Sequence, residues 1–227
     1  MRRYTDMNNP NFAKTPKTKG VIIKWANMYD SFNSLFLRLI GEKMSTAEAA
    51  IEKVELSAGI KVLDVGCGTG TLTIAAKHKV GPSGEVHGVD ASPQMIGVAK
   101  EKAIKVGLDV AFQVGVVEGL TFPDSYFDIV LSCLMIHHLP GDELKQKAFT
   151  EIYRVLKPGG NIFIADFEPP KNVRGRLIVA FLLGHTMEHN DIRELPSMLE
   201  KAGFTHIETG QTKNRILSFV RGVAEKR

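Results

Sequence analysis

Two cysteines, one tryptophan and no long apolar run set the first limits on this chain of 227 residues. Two thiols cannot build a disulfide framework or a cysteine-only zinc site. The longest uninterrupted apolar stretch, 177–183, falls far below the roughly 18 residues needed to span a bilayer. No apolar segment follows Met1-Arg2-Arg3-Tyr4-Thr5-Asp6, so no secretory leader is expected. Nor is the chain short of core-forming material. With 44% hydrophobic and 24% charged residues it has the balance of an ordinary globular protein, which excludes wholesale disorder. These limits describe a reduced, cytoplasmic domain of enzyme size.

Net charge is +4, and it is unevenly placed. Residues 1–24 carry Arg2, Arg3, Lys14, Lys17, Lys19 and Lys24 against Asp6 alone, which leaves the rest of the chain at −1. The basic excess belongs to a tail, and a neutral body speaks against nucleic acid as a partner. Residues 1–19 show no hydrophobic period and are expected to be a disordered basic tail.

Helical spacing begins near Val21, where Trp25, Met28, Tyr29, Phe32, Leu35, Phe36 and Leu39 recur three or four apart and predict one apolar face. A second helical stretch covers 44–54, completing a helical cap over 20–56. Then the pattern changes. Short β-branched runs at 61–65, 85–90, 109–114, 127–132 and 161–166 alternate with helix-like segments near 70–79, 92–106 and 142–156. Such alternation predicts a doubly wound α/β domain with a parallel sheet covered on both faces. The cofactor-binding core is placed at 57–166, a helical insert or lid at 167–191, and a helix (192–202) with two late strands (205–210 and 214–221) at 192–227.

The sharpest feature is Val62-Leu63-Asp64-Val65-Gly66-Cys67-Gly68-Thr69-Gly70, a strand running into a glycine-rich turn and a helix. Glycine lets backbone approach a ligand closely, and the helix start offers unpaired N–H groups. A dinucleotide fingerprint needs glycine at position 71, where Thr71 stands, and a P-loop needs Gly-Lys-Ser/Thr where Thr71-Leu72-Thr73 stands. What remains is Asp-x-Gly-x-Gly-x-Gly. A carboxylate at Asp64 repels a pyrophosphate and suits a ligand bearing an ammonium and a sulfonium. Asp90 ends the second strand, where an acid can accept both ribose hydroxyls. Asp64, Gly66, Gly68, Gly70 and Asp90 describe a nucleoside with a positive tail and no phosphates. S-adenosyl-L-methionine fits.

With the blocks VHGVDASPQMI, FPDSYFDIVLSCLMIHHL and RVLKPGGNIFIADF, the chain resembles the class I S-adenosylmethionine-dependent methyltransferases. Within them it is similar to the small-molecule branch related to ubiquinone/menaquinone-biosynthesis methyltransferases. The resemblance implies a Rossmann-like seven-stranded sheet of order 3-2-1-4-5-7-6 with the last strand antiparallel. It implies that the 66–70 backbone cradles the methionine moiety, that Asp90 holds the ribose and that Met95 flanks the adenine. Cys67, Ala91, Val117, Glu118 and Ser132 complete the expected cofactor set. Val116 stands where relatives usually carry an adenine-binding Asp. Either Glu118 substitutes, or backbone and apolar contacts hold the base.

A base is needed only where the methyl acceptor carries a proton. The candidates are His137 and His138 at the end of the fourth strand, with Asp166 as orienter. Adjacent strand residues point oppositely, so one histidine is expected to face the crevice, and His137 is preferred; the alternative is that both cap the strand against Pro140. Trp25, Tyr29 and Phe32, with the insert, are expected to roof an acceptor pocket for a hydrophobic or ring-bearing molecule such as a quinone precursor. Lys171, Arg174 and Arg176 before the 177–183 run keep open a phospholipid-headgroup amine and a peripheral membrane contact. A non-catalytic cofactor-binding sensor is the alternative of another class. His185-Thr186-Met187-Glu188-His189 matches an inverted zincin pattern, but no third ligand accompanies it, and no metal is expected. No base-flipping motif is present.

Overall fold

A computed structural model describes residues 16–23, 26–39, 44–168, 191–214 and 216–226. Residues 169–190 of the insert, with its 177–183 run and the 185–189 motif, lie outside the described residues, as do 1–15 and Trp25.

Helices α1 (Ala26–Leu39) and α2 (Thr46–Ile51) precede the alternating core. It runs β1 (Lys61–Val65), α3 (Thr71–Val80), β2 (Glu85–Asp90), α4 (Pro93–Lys105), β3 (Ala111–Val114), β4 (Phe127–Cys133), α5 (Asp142–Val155) and β5 (Leu156–Phe167). Helix α6 (Leu195–Ala202) and strands β6 (Thr205–Gln211) and β7 (Leu217–Ala224) follow. The sheet order is β3-β2-β1-β4-β5-β7-β6, with β1 to β5 parallel and β7 antiparallel to both neighbours. The expected fold and strand order are the ones observed.

Alternation along the strands sends side chains to two cores. Leu63, Val65, Val130, Ile162 and Ile164 pack with Phe149 and Ile152 of α5 and Leu199 of α6. Val62, Leu131 and Phe163 pack on the other face with Leu72 and Ala76 of α3 and Ala50 of α2. Burial on both faces is why these strands read as nearly continuous apolar runs. Order reverses between β1 and β4, which opens a crevice at their carboxyl ends.

Several boundaries move, each for a local reason. Helix α2 starts at Thr46, because Ser45 accepts the Glu48 N–H and the Glu48 carboxylate accepts the Ser45 N–H in return. Strand β5 begins at Leu156, five residues before the expected 161, through a shifted register between Phe127 and Ile129 of its partner. Strand β7 begins at Leu217 because Asn214 organises the preceding turn, donating to Met44 O and accepting from Ile216 N–H.

Two expectations at the N-terminus are corrected. Residues 16–19, placed in a disordered tail, form part of an irregular strap across the sheet end: Thr18 donates to Glu118, and Val21 N–H donates to His138 O at 2.9 Å. Residues 21–23, predicted to open the helix, carry no regular secondary structure, and α1 is described over Ala26–Leu39. The predicted face of α1 is also rotated. Ala26 and Leu37 are buried, while Met28 is 71% and Leu35 58% exposed. A polar contact sets the rotation, since the Asp30 carboxylate reaches Thr69 Oγ1 at 2.6 Å and Lys102 Nζ at 2.9 Å.

Candidate active site

The site begins where β1 ends. At Gly66 φ is +69°, and a Cβ there would lie 2.0 Å from Met135 Cγ, so the chain can turn under Met135 only without a side chain. Val89 O accepts the N–H groups of Gly66 and Cys67 at 2.8 and 3.0 Å, tying the turn to β2. Gly68 also has positive φ, yet a Cβ at that position would meet nothing within 4 Å. It opens onto a cavity. Gly70 leads into α3 with φ +78° and lies against Ala99 and Phe112, outside the cavity lining.

Asp90 closes the far side. Its Oδ2 accepts the Gly68 N–H at 2.9 Å and its Oδ1 the Ser92 N–H at 2.8 Å. Burial raises its carboxyl pKa, and the two backbone donors oppose that rise. Asp64 is placed differently from the expectation. It is buried behind the turn, where its Oδ2 accepts from Thr73 Oγ1 at 2.6 Å, and it does not line the cavity. Burial, with the Asp90 charge adding, pushes its pKa up to about 7 against the Thr73 hydrogen bond.

The cavity holds about 580 Å³, within the usual range for a small-molecule site. Of the residues expected to bind the cofactor, Gly66, Cys67, Gly68, Asp90, Ala91, Met95, Val117 and Glu118 line it. Val116 lines it too, and Glu118 is engaged by Thr18. Asp30, Glu48, Asp90 and Glu118 face Arg38 and Lys102 across it, an acidic excess among the described lining residues. An open cradle at Gly68, the Asp90 carboxylate in the lining and that excess fit a sulfonium nucleoside with a zwitterionic tail. Among the described residues no group of three or more His, Cys, Asp or Glu side chains is disposed to hold a metal.

Ser132 is a correction. It is buried within β4, its hydroxyl has no hydrogen-bond partner among the described residues, and it is not part of the lining. Cys133, its neighbour, faces the cavity instead. Cys67 and Cys133 are free thiols whose pKa values burial pushes up, so both stay protonated.

The histidines exchange roles. They occupy a 3₁₀ turn, Ile136–His138, beyond the strand, so strand alternation does not apply to them. His137 turns to Asp166, with Nδ1 and Oδ1 at 2.7 Å, and neither residue lines the cavity. His138 does line it. Burial, and then the neighbouring His137, push the His138 pKa down to about 4, and its Nδ1 is buried with no hydrogen-bond partner among the described residues. This is a neutral imidazole at physiological pH.

Of the expected roof, Tyr29 lines the cavity. Burial first, then the neighbouring Cys133 and the carboxylates of Asp30 and Asp90, push its phenol up to about 12. Trp25 and the Phe32 side chain lie outside the described residues. Sequence reasoning missed Asp30, Thr69, Thr71, Lys102 and Thr18. Thr69 was visible inside the glycine turn and Thr71 just after it, but nothing local marks Thr18, Asp30 or Lys102.

Residues 62–160 match the methyltransferase domain family. A ubiquinone/menaquinone biosynthesis C-methyltransferase of Pseudomonas fluorescens is 30% identical over 240 residues, covering 95% of this chain and 92% of the relative. Phosphoethanolamine N-methyltransferase 1 of Zea mays is 30% identical over 181 residues, 80% of this chain and 35% of that protein. Among solved structures, an S-adenosylmethionine-dependent methyltransferase from Aquifex aeolicus superposes with a TM-score of 0.69 at 23% identity, covering 88% of this chain and 98% of that one. With a glycine turn at the switch point of this sheet and a relative aligned along nearly its whole length, the chain belongs to the S-adenosylmethionine-dependent methyltransferases, in the branch of the ubiquinone/menaquinone-biosynthesis enzymes.

Proposed function

We propose that this enzyme methylates a small, largely apolar, ring-bearing acceptor of the quinone-precursor kind. One observation carries the reading: the cavity that the glycine turn opens onto is also lined by Ile22, Ile23, Leu37, Leu134, Met135 and Leu139, which we take as the walls of an acceptor chamber. Such walls remove water from an apolar ring and contribute about 25 cal/mol per Å² of apolar surface buried.

When bound, S-adenosylmethionine supplies an electrophilic methyl group on a positively charged sulfur. The residues of the chain align and desolvate. Gly68 and Asp90 hold the nucleoside, and the 66–70 backbone with the surrounding carboxylates favours the cationic tail. Charge falls as the methyl moves, so a dry chamber favours transfer, and alignment supplies much of the rate. His138, neutral and facing the chamber, takes the acceptor proton or holds it in a hydrogen bond. His137 and Asp166 fix the turn that presents it.

A second reading, amine methylation of a phosphorylated headgroup, draws on Arg38 at the cavity rim and on the maize relative. Incubation with methyl-labelled S-adenosylmethionine and either a demethylated quinol or phosphoethanolamine separates the two. Label in the quinol supports the first reading; label only in phosphoethanolamine replaces it. Tight cofactor binding with no transfer to any acceptor favours a sensor.

A further inference from the structure

Helix α1 is fastened to the glycine turn by one carboxylate. Asp30 Oδ1 accepts from Thr69 Oγ1 at 2.6 Å, and Oδ2 accepts from Lys102 Nζ at 2.9 Å. Lys102 donates also to Thr71 Oγ1 at 2.7 Å and to Thr69 Oγ1 at 3.2 Å. One side chain of α1 thus gathers the turn, the first residue of α3 and the flank of α4.

The position of Thr69 gives this contact its meaning. It is 3% exposed and stands between Gly68 and Gly70, both at positive φ. Gly68, immediately before it, gives its N–H to Asp90 Oδ2. A short path therefore runs from Asp90 through Gly68 and Thr69 to Asp30. A nucleoside whose ribose engages Asp90 fixes the Asp90 carboxylate and the Gly68 peptide, and the Thr69 hydroxyl follows. The residue before Asp30 is Tyr29, which lines the acceptor chamber, and two turns further on Leu37 lines it too. The remainder of the N-terminal segment is tied to the two other loops of the same cavity, through Thr18 to Glu118 and through Val21 N–H to His138 O.

We propose that Asp30 is a positioning residue: it seats α1 on the cofactor-loaded glycine turn, so that the acceptor chamber is completed by cofactor binding. The inference rests on the cofactor site described above. The enzyme then takes its two ligands in order, cofactor before acceptor, and loosens its roof when the demethylated cofactor leaves. A polar latch suits that task better than an apolar seam. Asp30 keeps nearly half its side chain exposed, at 48%, so it can re-engage water when the turn moves.

The test uses the full chain and S-adenosylhomocysteine, followed by hydrogen–deuterium exchange and by calorimetric titration. In the parent protein the ligand should slow amide exchange across 26–39 about tenfold, the middle of the range for coupled sites. Asp30→Ala should reduce that protection to within about twofold while thermal melting of the sheet is unchanged, and Asp30→Glu should restore part of it. Because coupling is reciprocal, the fold-loss of protection should equal the fold-loss of ligand affinity. Lys102→Gln breaks the same cluster from α4 and should act in the same direction. Binding of the ligand with no change in exchange over 26–39, or equal protection in Asp30→Ala, overturns the proposal. Absence of binding to the parent protein overturns the cofactor site itself, and the proposal with it.

Discussion

His137 Nδ1 and Asp166 Oδ1 stand 2.7 Å apart, with side chains only 10% and 5% exposed, and this pair is turned away from the cavity. Asp166 also accepts the backbone N–H of Phe167 at 2.8 Å and of His137 at 3.3 Å. Burial alone would raise the Asp166 carboxyl, but the His137 charge and these donors hold it below its usual range. The pair joins the ends of β4 and β5 and sets the turn on which His138 sits.

Asp166→Asn should therefore cost stability before it costs chemistry. Losing a buried, charge-assisted contact is worth about 2–3 kcal/mol. Chemical denaturation measures it directly. Turnover per folded molecule should fall only a few-fold, and a loss of several decades with an intact fold would return the pair to the reaction centre.

His138→Ala should lower turnover about a hundredfold while leaving cofactor affinity nearly intact. The parent's pH–rate profile should lack a limb near the ordinary histidine range and decline only toward pH 4, where the buried ring gains its proton. Stability follows the same sign. The depressed pKa makes the unfolded state the better proton binder, so this contribution is full above about pH 6.5 and lost as pH falls toward 4.

Gly66→Ala and Gly68→Ala should part company although both carry positive φ. At Gly66 the added methyl collides with Met135, and the fold should lose at least about 2 kcal/mol. At Gly68 the space is open, so stability should fall by about 1 kcal/mol while cofactor affinity drops tenfold or more. Melting curves and calorimetry on the same two proteins distinguish the outcomes.

Asp90→Ala should weaken S-adenosylmethionine binding by about 1.5–3 kcal/mol, the value of hydrogen bonds to a charged group. An unchanged affinity removes Asp90 from the site.

Asp64 bears on alkaline stability. Its folded pKa of about 7 exceeds the unfolded value, so the folded state binds the extra proton between about pH 4 and 7. Stability is therefore unaffected by this group below pH 4, declines through that window and carries the full cost above pH 7. Asp64→Asn, which still accepts from Thr73, should melt higher than the parent at pH 8 by up to about 4 kcal/mol and match it at pH 4. Equal melting at both pH values would falsify the burial argument.

The sheet and the glycine turn were legible because their causes are local. Strands buried on both faces must be apolar throughout, and a turn beneath Met135 must be glycine. What escaped depends on partners distant in sequence. The rotation of α1 is set by Asp30, whose partners Thr69 and Lys102 lie 39 and 72 residues away. The order of the histidines escaped for another reason: a 3₁₀ turn replaces the strand geometry assumed at Ile136–His138. Residues 16–19 were read as tail from composition alone, and composition does not reveal that Thr18 meets Glu118.

The described strap and α1 meet the loops at the sheet end and the flank of α4, while the sheet itself is built from residues 61 onward. Catalytic inheritance is thereby split along the chain. The strands and their turns supply Gly66, Gly68 and Asp90 to the cavity, while the strap and α1 supply Ile22, Ile23, Tyr29 and Leu37. Relatives at about 30% identity bear names for C-methylation and for N-methylation. Under the proposed latch, the segment that sets what the chamber admits is itself held in place by the glycine turn, through Asp30 and Thr69.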